Sequence, residues 1–121
     1  MSTVYTVAFS GGRFLMVYNP ARKGWEMPGG HIENGENAEE AAGREFLEES
    51  GYGIRIVSVK EMHGCYVCAA VLNEKIREGE FINSLFSELP DELAFERSEY
   101  DDVIDWAHSE MIRKENVLTG S

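Results

Sequence analysis

The segment that most narrows the fold is a helix whose two ends are both written in the sequence. Asn37 is followed three residues later by Glu40, the spacing at which a cap side chain and a first-turn glutamate satisfy each other's backbone N–H groups. Gly51 stands where a left-handed residue stops a helix, so the pattern predicts a helix over Ala38 to Ser50. At about 100° per residue, Ala38, Ala41, Ala42, Glu45 and Glu49 share one stripe, with Phe46 and Glu48 at its edges. The stripe that should bury apolar surface therefore turns to carboxylate in its second half.

That arrangement has an electrostatic cost. Glu45, Glu48 and Glu49 stand at i, i+3 and i+4, where like charges repel, and near a helix C-terminus, where the macrodipole also disfavours them. A hard divalent cation prefers oxygen ligands, so the cluster suits Mg2+, with Mn2+ as a substitute. A solvated acidic face accounts for Glu39 and Glu40; the other three continue the alanine stripe and call for another explanation. Ahead of the helix, Trp25-Glu26-Met27-Pro28-Gly29-Gly30 reads as a short strand entering a glycine turn, and Gly35 permits a second turn that folds the loop back over the helix. Arg44 lies off the carboxylate stripe and suits a fork-shaped ion pair that holds a loop or a catalytic glutamate. Glu36, just before the cap, has two readings: a distant metal ligand, or the partner of Arg44.

Together these residues read Gly30-x5-Glu36-x7-Arg44-Glu45-Phe46-x-Glu48-Glu49-x-Gly51-Tyr52, which resembles the Nudix box. The resemblance implies an α/β/α sandwich around a mixed sheet, with the box forming a loop-helix-loop. It also implies metal-dependent hydrolysis of a nucleoside diphosphate linked to another group. Carried over residue by residue, Glu45, Glu48 and Glu49 become the principal metal ligands, and Arg44 joins them in the catalytic set. The Gly30 backbone, Glu36 and Glu99 are lesser candidates for the metal. Glu45 is the first candidate for the general base, with Glu96 and Glu99, outside the box, as alternatives. Arg22 and Lys23 are candidates for substrate binding. Phe46 and Tyr52 are aromatic where the family usually carries aliphatic residues, a matter of local packing.

Outside the box the chain reads mostly as strand. Val4 to Phe9 and Phe14 to Tyr18 flank a Ser10-Gly11-Gly12 hairpin signal, and Ile54 to Lys60, Gly64 to Asn73 and Phe81 to Ser87 are further candidates. Asp101 to Trp106 offers a last short strand, Ser109 a cap for a terminal helix reaching about Lys114, and Leu118 to Ser121 read as a frayed end. Strands outnumbering helices in 121 residues point to one α+β domain spanning 1–121.

Charge and cysteine usage exclude several functions. With 22 acidic against 11 basic residues, the net charge of −11 disfavours attraction to duplex nucleic acid or an anionic membrane. No apolar run approaches the ~18 residues of a membrane span and no leader pattern opens the chain, so a cytoplasmic protein, monomeric or homodimeric, is expected. Cys65 and Cys68 form a Cys-x-x-Cys, but within an apolar strand residues three apart face opposite ways, so they read as buried free thiols rather than a zinc or redox pair. His31, His63 and His108 are isolated and read as surface or loop residues.

Within the resembled family, Met62 to Cys68 holds no proline of the kind found in ADP-ribose-specific members, and Tyr66 falls early for the tyrosine associated with dinucleoside polyphosphates. No coenzyme A marker precedes the box. The compact chain looks most like MutT-type enzymes, which convert a nucleoside triphosphate, in some members an oxidised guanine nucleotide, to monophosphate and pyrophosphate. The alternatives are a catalytically silent nucleotide-sensing domain, against which the intact carboxylate set argues, and a Nudix hydrolase of nucleotide sugars or RNA 5′ ends.

Overall fold

The structure is a computed structural model and describes residues 2–114. Its strands are β1 (Thr3–Ser10), β2 (Arg13–Asn19), β3 (Gly24–Glu26), β4 (Gly29–His31), β5 (Tyr52–Met62), β6 (Cys65–Lys75) and β7 (Ile82–Phe86), and its helices are α1 (Ala38–Ser50) and α2 (Arg97–Lys114). The strands form one mixed sheet in the order β3-β2-β1-β6-β5, with β4 pairing β1 and β7 pairing β2. The β1–β6 pair is parallel and the other pairings are antiparallel.

Strand alternation decides where the helices sit. Val7 and Phe9 of β1, Met16 of β2, and Val67 and Ala69 of β6 pack with Tyr100, Val103 and Ala107 of α2. Their neighbours Ala8, Leu15, Val17 and Ala70 pack instead with Phe46 of α1, and Val4 and Cys68 pack with Ala41 and Ala42. Each central strand is thus apolar on both faces and covered on both, which is the α/β/α sandwich within the α+β class.

The box helix has the bounds that its caps predict. Asn37 Oδ1 accepts from the Glu40 N–H at 2.8 Å and the Glu40 carboxylate accepts from the Asn37 N–H at 2.9 Å. Gly51 takes φ 85° and its N–H reaches the Leu47 carbonyl at 2.8 Å. A Cβ at Gly51 would collide with the Arg77 carbonyl, so both backbone hand and close approach require glycine there.

Two expectations need correction. Asp101 to Trp106 is not a strand: it lies inside α2, which begins at Arg97 and runs straight through Ser109, so Ser109 caps nothing. The residues that α2 buries, Tyr100, Val103 and Ala107, are spaced at i, i+3 and i+7, a helical period that the short apolar run conceals. The glycine turn also contains a strand, β4, whose Gly29 and Gly30 pair with Tyr5 and Val4. The expected fraying of Leu118 to Ser121 lies outside the described residues.

Candidate active site

Arg44 organises the box. Its Nε and Nη2 donate to the two Glu36 oxygens at 2.7 and 2.9 Å, a fork-on-fork pair, and Nη2 also donates to the His31 carbonyl at 3.0 Å. Its Nη1 donates to Glu45 at 2.8 Å and to Glu48 at 3.1 Å. One guanidinium therefore ties the loop before α1 to two of the three carboxylates. The bond from Arg44 holds the Glu36 carboxyl down at about 2, and Glu36 also accepts from the Glu33 N–H. Of the two readings open for Glu36, the geometry shows the partner of Arg44.

Glu45 and Glu49 face the glycine turn. Glu49 accepts from the Gly29 N–H at 3.1 Å. The Glu45 carboxylate lies against Gly30, where a Cβ would overlap it. Burial pushes the Glu49 carboxyl up to about 8, against the Gly29 bond, and the charges of Glu45, Glu26 and Glu80 push the same way. Burial raises Glu45 as well, opposed by Arg44 and reinforced by Glu48 and Glu33. Glu48 is the most exposed of the three.

Among the described residues, no three His, Cys, Asp or Glu side chains are gathered in a geometry that would hold a metal ion. In chemistry the donor set nevertheless fits a hard cation. Glu45 and Glu49 are partly buried carboxyls that resist ionising side by side; Arg44 Nη1 brings positive charge to Glu45 and to Glu48 but donates no bond to Glu49, which a cation would serve.

Gly29 and Gly30 also line a cavity of about 260 Å³ on the α2 face of the sheet. Tyr5, Cys65, Glu99 and Tyr100 are among its other walls, and Arg22, Glu26 and Phe95 line it too. The glycine turn thus touches the box carboxylates on one side and the cavity on the other. Glu99 sits in the first turn of α2 at this cavity, not in a loop before a strand, whereas Glu96 precedes the helix, exposed, and is not part of the cavity wall. Arg22 is at the cavity; its neighbour Lys23 is exposed at φ 55° and does not line it. Cys65 and Cys68 are free thiols on opposite faces of β6, Cys68 fully buried and Cys65 accepting from the Thr3 hydroxyl at 3.0 Å.

Sequence reasoning passed over Glu26, Glu80 and Phe95. Glu26 carried a signal, a carboxylate in a buried strand four residues after an arginine. Glu80 reaches Glu49 only because its own N–H bonds the Glu48 carbonyl across the fold, at 2.8 Å, and no local pattern announces that.

The sequence profile of the NUDIX domain matches residues 2–118, and the chain belongs to the Nudix family. A Bacillus subtilis (strain 168) protein whose name carries 8-oxo-dGTP diphosphatase is 64% identical over 28 residues, which span 23% of this chain and 19% of that protein. The crystal structure of a B. subtilis pyrophosphohydrolase, solved as a point mutant, superposes with a TM-score of 0.68 at 25% identity, covering 93% of this chain and 81% of that one. A Streptococcus suis ADP-ribose pyrophosphatase shares the fold with a TM-score of 0.69 at 19% identity, over 88% of this chain and 90% of that one. Nudix hydrolases generally use divalent metal ions.

Proposed function

We propose that the chain is a metal-dependent pyrophosphohydrolase that splits a nucleoside triphosphate into monophosphate and pyrophosphate. The observation that carries this reading is the glycine turn, which joins the Glu45 and Glu49 carboxylates to the cavity on the far face of the sheet. A base in the cavity and its phosphates at the turn would fill both halves at once.

Glu45, Glu48 and Glu49 would hold Mg2+, with Mn2+ able to replace it. When bound, the ion would supply polarisation of the phosphoryl oxygens and a lowered pKa for its water. Glu45, held against Gly30 and steadied by Arg44, serves as the general base that takes the proton of the attacking water. Arg44 acts through the carboxylates that it positions rather than on the substrate. The name of the B. subtilis relative favours a triphosphate over a nucleotide sugar. Turnover across a panel of nucleoside triphosphates, nucleotide sugars and capped RNA, with Mg2+ and after exhaustive chelation, tests the reading. Triphosphate turnover that vanishes on chelation and returns with Mg2+ supports it; full turnover without metal refutes the mechanism.

A further inference from the structure

The end of α1 that carries Glu48 and Glu49 is held by a part of the chain that lies far from it in sequence. A helix leaves its last carbonyls without partners of its own, and its last turn tends to fray. In α1 that turn has no basic side chain to offset its negative end. The segment from Ile76 to Asn83, which leaves β6 and enters β7, supplies the missing donors. The Glu80 N–H reaches the Glu48 carbonyl at 2.8 Å, the Phe81 N–H the Glu49 carbonyl at 3.0 Å, and the Asn83 side-chain amide the Ser50 carbonyl at 3.2 Å. The Ile76 and Arg77 N–H groups both reach the Gly51 carbonyl, at 2.8 and 3.2 Å. Every carbonyl from Glu48 to Gly51 is thus satisfied from one segment.

We propose that this segment is a brace that fixes the spacing of the metal-holding carboxylates, with Gly79 and Asn83 as positioning residues that act through the last turn of α1. The proposal rests on the pyrophosphohydrolase reading of the site and adds to it the device that keeps the carboxylates in register.

Close approach makes the brace rigid. A Cβ at Gly79 would collide with the Glu49 carbonyl and the Ser50 backbone, and Gly79 is not left-handed, so space alone calls for glycine there. Gly51 gives the Arg77 carbonyl the same room from the other side. The far end of the brace is anchored in the sheet, where Ile82 and Asn83 pair with Tyr18 and Val17 of β2. Sheet and helix end are therefore joined independently of the apolar anchors Ala41, Ala42 and Phe46, which stand earlier in the helix. The consequence falls on the carboxylates. Glu45 stands one turn earlier and Glu49 accepts from the Gly29 N–H at 3.1 Å, so a frayed last turn would carry Glu48 and Glu49 away from both Glu45 and the glycine turn. A cation shared by several carboxylates needs its ligands placed within about 0.5 Å, which a fraying helix end does not provide.

Titration with Mn2+, followed by calorimetry, reads the brace without needing turnover. Asn83→Ala removes one side-chain donor and should raise the Mn2+ dissociation constant about tenfold, the loss typical when a group supporting a metal ligand is removed, and lower kcat by a similar factor. Gly79→Ala, which forces the brace off the helix end, should weaken Mn2+ binding at least as much. Without metal, amide exchange at Glu49, Ser50 and Gly51 should quicken in Asn83→Ala while that at Glu45 stays as in the wild type. Val67→Ala, in the core on the opposite face, should lower the melting temperature and leave Mn2+ affinity unchanged. Mn2+ affinity within about twofold of the wild type in Asn83→Ala, an equal loss in Val67→Ala, or no Mn2+ binding by the wild type would overturn the proposal. A chain whose Mn2+ affinity depends on Asn83 but that hydrolyses no triphosphate would refute the hydrolase reading and leave the brace standing; triphosphate turnover with Mn2+ affinity indifferent to Asn83 would do the reverse.

Discussion

The two helices cover opposite faces of one sheet and are held there by different forces. Helix α1 is short, closed at both ends by its own caps, and anchored by Phe46, Ala41 and Ala42, while its remaining inward surface is carboxylate. Helix α2 carries no such cluster on its buried side and docks through Tyr100, Val103 and Ala107, with Ile104, Trp106 and Met111 around them. On the α1 face a cationic fork offsets charge that the fold has gathered at a cost; on the α2 face apolar packing leaves a cavity beside a fixed aromatic strap. Under the proposed function this is a division of labour, with reactivity assigned to the face where electrostatics work against stability and binding to the face where packing is incomplete.

The largest effect that could break this comparison is on catalysis. Glu48→Gln and Glu49→Gln should each lower kcat by about 100-fold or more and leave the fold intact, because an interaction made for the transition state is lost while a repelling charge is removed at Glu48 and a carboxyl that burial disfavours in its ionised form is replaced at Glu49. Met16→Ala on the other face should do the reverse: it should cost about 3 kcal/mol in stability, because Met16 is fully buried in the α2-face core and away from the cavity wall, with kcat nearly unchanged. Steady-state kinetics and thermal melts on the three variants check both directions. A large fall in metal-free melting temperature for the glutamate variants would assign them to structure instead.

The pH dependence of stability sharpens the comparison further. Burial lifts the folded-state Glu49 carboxyl to about 8, above its unfolded value, so the folded chain binds the extra proton and metal-free stability falls as pH rises from about 4.5 to 8. Glu36 has the opposite sign. Held at about 2 by Arg44, it adds stability above its unfolded carboxylate value and loses it as pH falls toward 2. Metal-free melts should therefore show stability rising as pH drops from 8 toward 5.5, and Glu49→Gln should flatten that rise. An unchanged slope in the variant would assign the dependence to another group.

The smallest effect concerns the thiols. Replacing both Cys65 and Cys68 by Ala should leave kcat within about twofold and cost a little packing at the fully buried Cys68. Abolished turnover in a folded double variant, or stoichiometric zinc in the purified protein, would contradict the reading of β6 as an ordinary buried strand.

Legibility in the chain follows the same division. The bounds of α1, the carboxylate stripe and the role of Arg44 as a fork were readable because caps, helical spacing and guanidinium geometry are local. The five long strands were readable from β-branched and aromatic runs. Helix α2 was not, because Val103-Ile104 and Trp106-Ala107 form short apolar pairs that mimic a strand, and its true period appears only with Tyr100 and Met111 included. The cavity wall was hidden for another reason. Arg22, Glu26, Phe95 and Tyr100 are brought together by the strap that runs beside Trp25, a contact that no spacing encodes.

Hydrolysis of a nucleoside triphosphate in 18O-labelled water tests the central claim most directly, since it locates the bond broken at the proposed carboxylate site. The account predicts monophosphate and pyrophosphate as the primary products, with the label in only one of them, from attack on an internal phosphorus. Orthophosphate and nucleoside diphosphate as primary products, with label in the orthophosphate, would contradict it.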